Sequence, residues 1–262
     1  MPPCGDVLRA SAAEFPDAVR EGLLRELGQR GLAAVQLDEP LSNDRFTTLG
    51  SLLGIASPET DPAVLPYVER GVILNLVAEH GRTEDVSLQP FATNPLTLHS
   101  EGSGRRAEEQ PRYIVLMCRD PGDEGTAAQT VLVPMAAVAE GLSPDALATL
   151  EQTRYRRSPD GPWIARRVDG RWVFSFRDFL SQPLEWTHAG HAPSADAING
   201  ALRDLLASMY APGAAIRVHW TRGKLVIIDN TFFFHGRTAG RSAGSSRRRH
   251  LQRLRILAGP SA

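Results

Sequence analysis

Apolar residues first recur at helical spacing over about 12–27, where Phe15, Val19, Leu23, Leu24 and Leu27 share one face. Gly31 closes that helix, because glycine readily takes the left-handed conformation that ends helices. Residues 32–37 then read as a strand, and a second helix covers 44–53 with Ser42 or Asn43 as its cap. Downstream the pattern shortens. Runs at 72–77, 113–118, 130–133, 171–175, 215–220, 225–228 and 254–257 are rich in Val, Ile and Leu and read as strands. Helices interrupt them near 134–140, 143–152 and 194–209, with Ser143-Pro144-Asp145 supplying a cap and a proline in the first turn. Many short strands with a few peripheral helices predict a mainly β fold, a sandwich or jelly roll, and not alternating βαβ units.

The chain has 262 residues, no internal repeat and no low-complexity linker, so one domain over 1–262 is expected, with a helix-and-strand elaboration over about 1–60. Hydrophobic residues make up 42% and charged residues 23%, enough for a core and ordinary for a globular protein. A net charge of −1 argues against a protein built as a whole to bind nucleic acid or an anionic membrane. No run approaches the roughly 18 apolar residues of a membrane span, and the start lacks the basic and apolar regions of a secretory signal. Cys4 and Cys118 form neither a zinc spacing nor a disulfide framework. A cytoplasmic enzyme is the expectation.

Candidate chemistry begins at His99-Ser-Glu101. In extended backbone, residues two apart share a face, so an imidazole and a carboxylate could reach one ion. Chance often produces His-x-Glu, and a second stretch gives it meaning. Lys224 opens an apolar strand that passes a turn at Asp229-Asn230 and runs through three phenylalanines to His235-Gly236-Arg237. Two neutral imidazoles and one carboxylate form a facial triad that leaves three octahedral positions open, which points to non-haem Fe(II) oxygen chemistry. The third stretch is 247–256, Arg-Arg-Arg-His-Leu-Gln-Arg-Leu-Arg-Ile. It reads as a solvated basic run or as a strand whose arginine holds a dicarboxylate by a bidentate contact. A metal chelator that ends in a second carboxylate needs such a partner, and 2-oxoglutarate is that ligand.

In this order the three stretches resemble the TauD/TfdA family of Fe(II)- and 2-oxoglutarate-dependent dioxygenases. The likeness is closer to the branch with clavaminate synthase and the asparagine and arginine hydroxylases. That branch typically carries His-x-Glu and, at the distal histidine, His-Gly-Arg. Residues 110–119 and a strand at Thr130 continue the likeness, which spans roughly 94–133 and 225–256. The resemblance implies a double-stranded β-helix, a cupin-like jelly roll, with His99, Glu101 and His235 holding iron between its sheets. It implies Arg249 on the distal carboxylate of 2-oxoglutarate, as the first of an Arg-x-x-x-Arg pair completed by Arg253, and Thr130 on the same carboxylate. The triplet 247–249 leaves a one-residue slip open, Thr126 competes with Thr130, and Arg253 serves either the co-substrate or a substrate anion.

The implied reaction consumes O₂, converts 2-oxoglutarate to succinate and CO₂, and oxidises a C–H bond of a small molecule. Hydroxylation is the leading outcome, with desaturation, cyclisation and epimerisation as alternatives. Retention of Glu101 argues against halogenation. The branch suggests an amino acid or derivative from specialised metabolism, free or tethered to a carrier protein; a sulfonate or aryloxy acid is the alternative. The glycine-rich, charged stretch 101–110 reads as a lid or an ordinary surface loop. Arg105 and Arg106 within it, with Asn75 and Phe234, are candidate substrate contacts. Three rivals stand beside this reading. His188 and His191 form an alternative metal pair, disfavoured by Gly190 and Pro193. A metal-binding jelly roll without turnover and a basic-patch binder of nucleic acid over 241–255 are the non-enzymatic readings.

Overall fold

The computed structural model describes residues 7–78, 83–84, 88–123, 128–178, 185–189, 194–213, 215–240 and 247–259. Cys4, His80, Thr126 and His191 lie outside the described residues. The N-terminal third holds β1 (Leu8–Ala10), α1 (Arg20–Arg30), β2 (Leu32–Leu37), α2 (Asn43–Leu53), β3 (Ile55–Ala56), β4 (Val68–Glu69), β5 (Ile73–Val77) and β6 (Leu96–His99). The middle holds β7 (Tyr113–Asp120), β8 (Thr130–Pro134), α3 (Met135–Glu140), α4 (Pro144–Leu150), β9 (Thr153–Tyr155), β10 (Ala165–Val168), β11 (Arg171–Phe174) and β12 (Trp186–His188). Then come α5 (Ala195–Met209), β13 (Ile216–Val218), β14 (Lys224–Asp229), β15 (Phe233–Arg237) and β16 (His250–Leu257).

Two sheets face each other. The larger runs β1-β2-β14-β7-β16-β5-β4, with β3 on the free end of β16, and the smaller runs β13-β8-β15-β6. Every pairing is antiparallel except β1 with β2. This is the jelly roll that the strand pattern predicts, in the double-stranded β-helix form that the resemblance implies. Two small two-stranded sheets, β10-β11 and β9-β12, sit outside it.

The period of two in the strands sorts side chains into three layers. On β14 and β7, Leu225, Ile227, Val115 and Met117 face outward to a core with Leu23 and Leu27 of α1 and Phe46 and Leu49 of α2. Their neighbours Val226, Ile228, Ile114, Leu116 and Cys118 face inward, between the sheets. The smaller sheet does the same. Phe234 turns out to a third core with Phe174 and Ile198 of α5, while Phe233 packs inside. Each fully buried aliphatic or aromatic side chain contributes about 1.5–3 kcal/mol, so layer membership is strongly enforced.

The expected helices form, with shifted ends. Ser42, Ser143 and Ser194 cap α2, α4 and α5, each side chain accepting a backbone N–H three residues on. Gly31 ends α1 at φ 67°. The first helix begins at Arg20 and not near Ala12. The Ser11 hydroxyl accepts the Glu14 N–H and bends the chain, and Pro16 has no N–H to continue a helical ladder.

Candidate metal centre

β6 and β15 lie side by side, with His99 directly opposite His235 and a register shift before Arg237. The strands approach so closely that a Cβ on Gly236 would lie 2.7 Å from the Leu96 carbonyl oxygen, so only glycine fits there. The two imidazole centroids are consequently 4.3 Å apart. Glu101 follows the end of β6, and its Oε2 lies 3.7 Å from His99 Nε2 and 3.4 Å from His235 Nε2. One donor atom from each of the three residues falls within 4.8 Å of the others. No other such group of three occurs among the described residues.

Local contacts fix these donors. His99 Nδ1–H donates to the Thr97 carbonyl at 2.8 Å, which leaves Nε2 as the bare nitrogen aimed at Glu101. His235 Nδ1 is buried with no hydrogen-bond partner among the described residues. The Glu101 main chain is clamped by Asn230, whose Oδ1 accepts its N–H at 2.8 Å and whose Nδ2 donates to its carbonyl at 3.0 Å. Asn230 also donates to the Pro111 carbonyl, and the preceding Asp229 pairs with Arg112 at 2.7 Å. The β14–β15 turn therefore carries the device that places the carboxylate beside His235.

Burial, with His99 second, pushes the His235 imidazole down to about 4, so it is neutral at pH 7. Burial alone would raise the Glu101 carboxyl. Arg253 and Arg255, with smaller help from both histidines, outweigh burial and hold it well below the usual carboxylate range. Two imidazoles and an ionised carboxylate suit a divalent first-row ion and leave half of an octahedron free.

The triad opens into a cavity of about 480 Å³ between the sheets, lined by Leu74, Leu76, Leu96, Ile114, Leu116 and Leu251 among others. From the residue before β16 onward alternate side chains enter it: Arg249, Leu251, Arg253 and Arg255. Arg253 Nη2 lies 2.9 Å from Glu59 Oε1, and Arg255 Nη1 lies 3.3 Å from Glu59 Oε2. Arg249 differs. Its residue is 5% exposed, and its guanidinium has no ion-pair or hydrogen-bond partner among the described residues. Burial draws it down to about 10, still charged at neutral pH. A buried cation without a counter-ion at one end of a cavity calls for an anionic ligand. Thr130 lines the same cavity and its Oγ1 accepts the Trp220 indole N–H at 3.2 Å, which leaves the hydroxyl proton available to donate.

The remaining candidates separate cleanly. Arg247 and Arg248 are exposed, and Arg247 pairs with Asp120 at 2.9 Å, so of the triplet only Arg249 enters the cavity. Asn75 does not line the cavity. Its neighbours Leu74 and Leu76 do, so by alternation it faces outward, where it accepts from His250 Nε2 at 2.8 Å and from Gln252 Nε2 at 3.1 Å. Phe234 faces the outer core for the same reason. Arg105 and Arg106 are exposed, and Arg106 pairs with Glu109 at 2.6 Å. None of these four lines the cavity. His188 bonds Thr153 from β12. The basic run over 247–255 is not a surface patch, because Arg249, Arg253 and Arg255 point into the cavity. Asn230, Glu59 and Arg255 were not expected at the site. Arg237 was noted only as part of a motif; its guanidinium donates to the carbonyls of Gln89, Pro90, Ala92 and Asn94 and ties down the cavity wall ahead of β6.

Fold and donor set together fit a cupin-like oxygenase in which two histidines and one carboxylate could hold a metal ion. The model of the family described as "Taurine catabolism dioxygenase TauD, TfdA family" matches residues 10–255, and the chain belongs to that family. It is an oxidoreductase of the 2-oxoglutarate-dependent dioxygenase class. Among solved structures, an asparagine oxygenase in complex with Fe(II), 2S,3S-3-hydroxyasparagine and succinate is 17% identical, with a TM-score of 0.66 over 94% of this chain and 81% of that one. PvcB from Pseudomonas aeruginosa is 24% identical, with a TM-score of 0.66 over 95% and 84%. A taurine dioxygenase from Burkholderia xenovorans is 15% identical, with a TM-score of 0.66 over 98% and 89%. At these identities the likeness speaks to the fold. A search of curated protein sequences finds no match.

Proposed function

We propose that this protein hydroxylates a C–H bond of an amino acid or amino-acid derivative, holding Fe(II) through His99, Glu101 and His235 and 2-oxoglutarate through Arg249 and Thr130. The observation that carries the reading is the pairing of two features in one cavity: a two-histidine, one-carboxylate donor set, and a buried Arg249 that has no partner among the described residues, with Thr130 lining the same cavity. The donor set fits Fe(II), and the lone guanidinium fits the distal carboxylate of a ligand that chelates the metal with its other end. When bound, the metal and co-substrate supply the O₂-activating chemistry. The residues of the chain do the rest. His99 and His235 present their Nε2 atoms, the His235 imidazole being neutral, Glu101 presents a charged oxygen, and Trp220 orients Thr130 by donating to its oxygen. The leucine-rich wall gives the reacting centre apolar surroundings.

Structural neighbours support the substrate class: one holds a hydroxylated asparagine, another, OrfP, a hydroxylated arginine. A free amino acid and one tethered to a carrier protein are both consistent with this class. We also take 1–262 as one domain, supported by β1, β2 and β3, which join the main sheet and do not form a separate unit. A cytoplasmic location suits the buried free thiol of Cys118, and no described helix is long and apolar enough to cross a membrane.

The test loads the full chain anaerobically with Fe(II) and 2-oxoglutarate, admits O₂, and screens free amino acids, their derivatives and carrier-tethered forms. Succinate formation matched by a product 16 Da heavier supports the reading. Equal succinate formation by His235→Ala would reject it.

A further inference from the structure

We propose that Arg255 is a positioning residue that makes Glu101 a one-oxygen ligand and so keeps a coordination position of the metal open. The inference rests on the metal reading above. The two carboxylate oxygens of Glu101 face different neighbours. Oε2 looks toward both imidazoles, at 3.7 and 3.4 Å. Oε1 looks away from them, 3.0 Å from Arg255 Nε and 3.8 Å from Arg253 Nη1. The Arg255 N–H is not aligned for a hydrogen bond, so the contact acts through charge.

A carboxylate can bind a metal through one oxygen or both, and the long glutamate side chain reaches far enough for either. Bringing Oε1 onto the ion would draw it away from a guanidinium that lies in the protein interior, and separating a buried pair is costly. Arg255 cannot simply follow. Its Nη1 is held 3.3 Å from Glu59 Oε2, and the other oxygen of Glu59 is taken by Arg253 at 2.9 Å. Glu59 is itself fixed. It is 6% exposed, its N–H donates to the Gly71 carbonyl at 3.0 Å, and two residues earlier the Ser57 N–H donates to the Arg255 carbonyl at 2.7 Å. Asn230 immobilises the Glu101 main chain from the other side. The carboxylate is thus held at both ends with one oxygen facing the histidines.

The consequence concerns vacancies. Three single-atom ligands leave three octahedral positions, two for a chelating co-substrate and one for O₂. A chelating Glu101 would leave two, and the co-substrate alone would fill them.

Mn(II) alone is the probe, added to the metal-free full chain, because proton relaxation counts the exchangeable waters it retains. Arg255→Met should bind Mn(II) but hold one fewer water than wild type, and Arg255→Lys, which restores a cation, should regain it. An unchanged water number in Arg255→Met would overturn the proposal. Circular dichroism shows whether that variant folds. If it does not, a crystal structure of the wild-type protein with Mn(II) decides. One Glu101 oxygen on the ion with Oε1 on Arg255 supports the assignment; both oxygens on the ion overturn it. Wild-type protein that binds no Mn(II) would sink the metal centre as well, whereas Mn(II) held by a chelating Glu101 would sink this inference only.

Discussion

Arg249, just ahead of β16, and Arg253, within it, line one cavity four residues apart, and their surroundings could hardly differ more. Arg253 meets Glu59 at 2.9 Å and Glu101 at 3.8 Å, so its charge is balanced by the protein. Arg249 is more deeply buried and meets no acidic group among the described residues. A chain does not hold a bare guanidinium inside itself for stability, since desolvation of an unpaired ion is among the largest costs in folding. The contrast separates what the protein completes by itself, the metal end of the cavity, from what it leaves for a ligand to complete. It is also the ground on which Arg249, and not Arg253, is proposed as the partner of the co-substrate.

The largest effect expected is at the metal end. His235→Ala removes one of three donors and leaves Glu101 facing a single imidazole, so Fe(II) affinity should fall by at least about 100-fold and succinate formation should cease. Calorimetric titration with Fe(II) under nitrogen measures the first. Affinity within a few-fold of wild type would remove His235 from the ligand set.

Next, leucine at each arginine should have opposite consequences. Arg253→Leu strands part of the Glu59 charge, and the metal-free protein should lose about 3–5 kcal/mol in urea unfolding. Arg249→Leu strands nothing and should leave the metal-free protein as stable or gain about 1–3 kcal/mol. Its penalty should appear only with ligand: 2-oxoglutarate binding should weaken by about 2–5 kcal/mol, the range for deleting one partner of a buried charge pair. If Arg249→Leu destabilises the ligand-free chain as much as Arg253→Leu does, the contrast between the two arginines is void.

How much of this was legible beforehand follows from sequence distance. The β pattern, the helix caps at Ser42 and Ser143 and the His-x-Glu pair are local signals, carried by residues within a few positions of one another. The strands β9, β10 and β12 were missed because they are three or four residues long, and residues such as Arg154, Arg166 and Arg167 break any apolar run. Glu59 meets its arginine across 194 residues and Asn230 meets Glu101 across 129, and no periodicity encodes such contacts. The misplacement of Phe234 and Asn75 is different in kind. Once His235 is taken to face the cavity, its strand neighbour Phe234 must face away, and Asn75 stands to Leu74 and Leu76 in the same relation. The period of two already contained that answer.

Acid should expose the metal end in the ligand-free protein. The His235 imidazole is held down to about 4 when folded, against an ordinary value of 6.5. Below about pH 6.5 the unfolded chain therefore binds a proton that the folded chain refuses, and stability falls as pH drops. The loss accrues until about pH 4 and amounts to on the order of 3 kcal/mol at 25 °C. Glu101, lowered below its usual range, adds to the loss in the same direction. Urea unfolding between pH 7 and 4.5 measures the slope, and His235→Gln should flatten it. A slope unaltered by that substitution would mean that the buried imidazole is not its source.

The smallest effect tests the ligand end without touching a charge. Trp220 donates its indole N–H to Thr130 Oγ1 at 3.2 Å. A hydroxyl that accepts from one side is turned to donate on the other, and the other side is the cavity into which Arg249 projects. Trp220→Phe keeps most of the apolar volume in a residue that is 8% exposed and removes only that donor. A neutral hydrogen bond contributes about 0.5–1.5 kcal/mol, so 2-oxoglutarate binding should weaken about 2- to 12-fold while Fe(II) affinity stays put. The split between the two ligands is the point of the measurement. A matching loss of Fe(II) affinity would show that the indole supports the packing of both ends, and Thr130 would then lose its claim to act on the co-substrate alone.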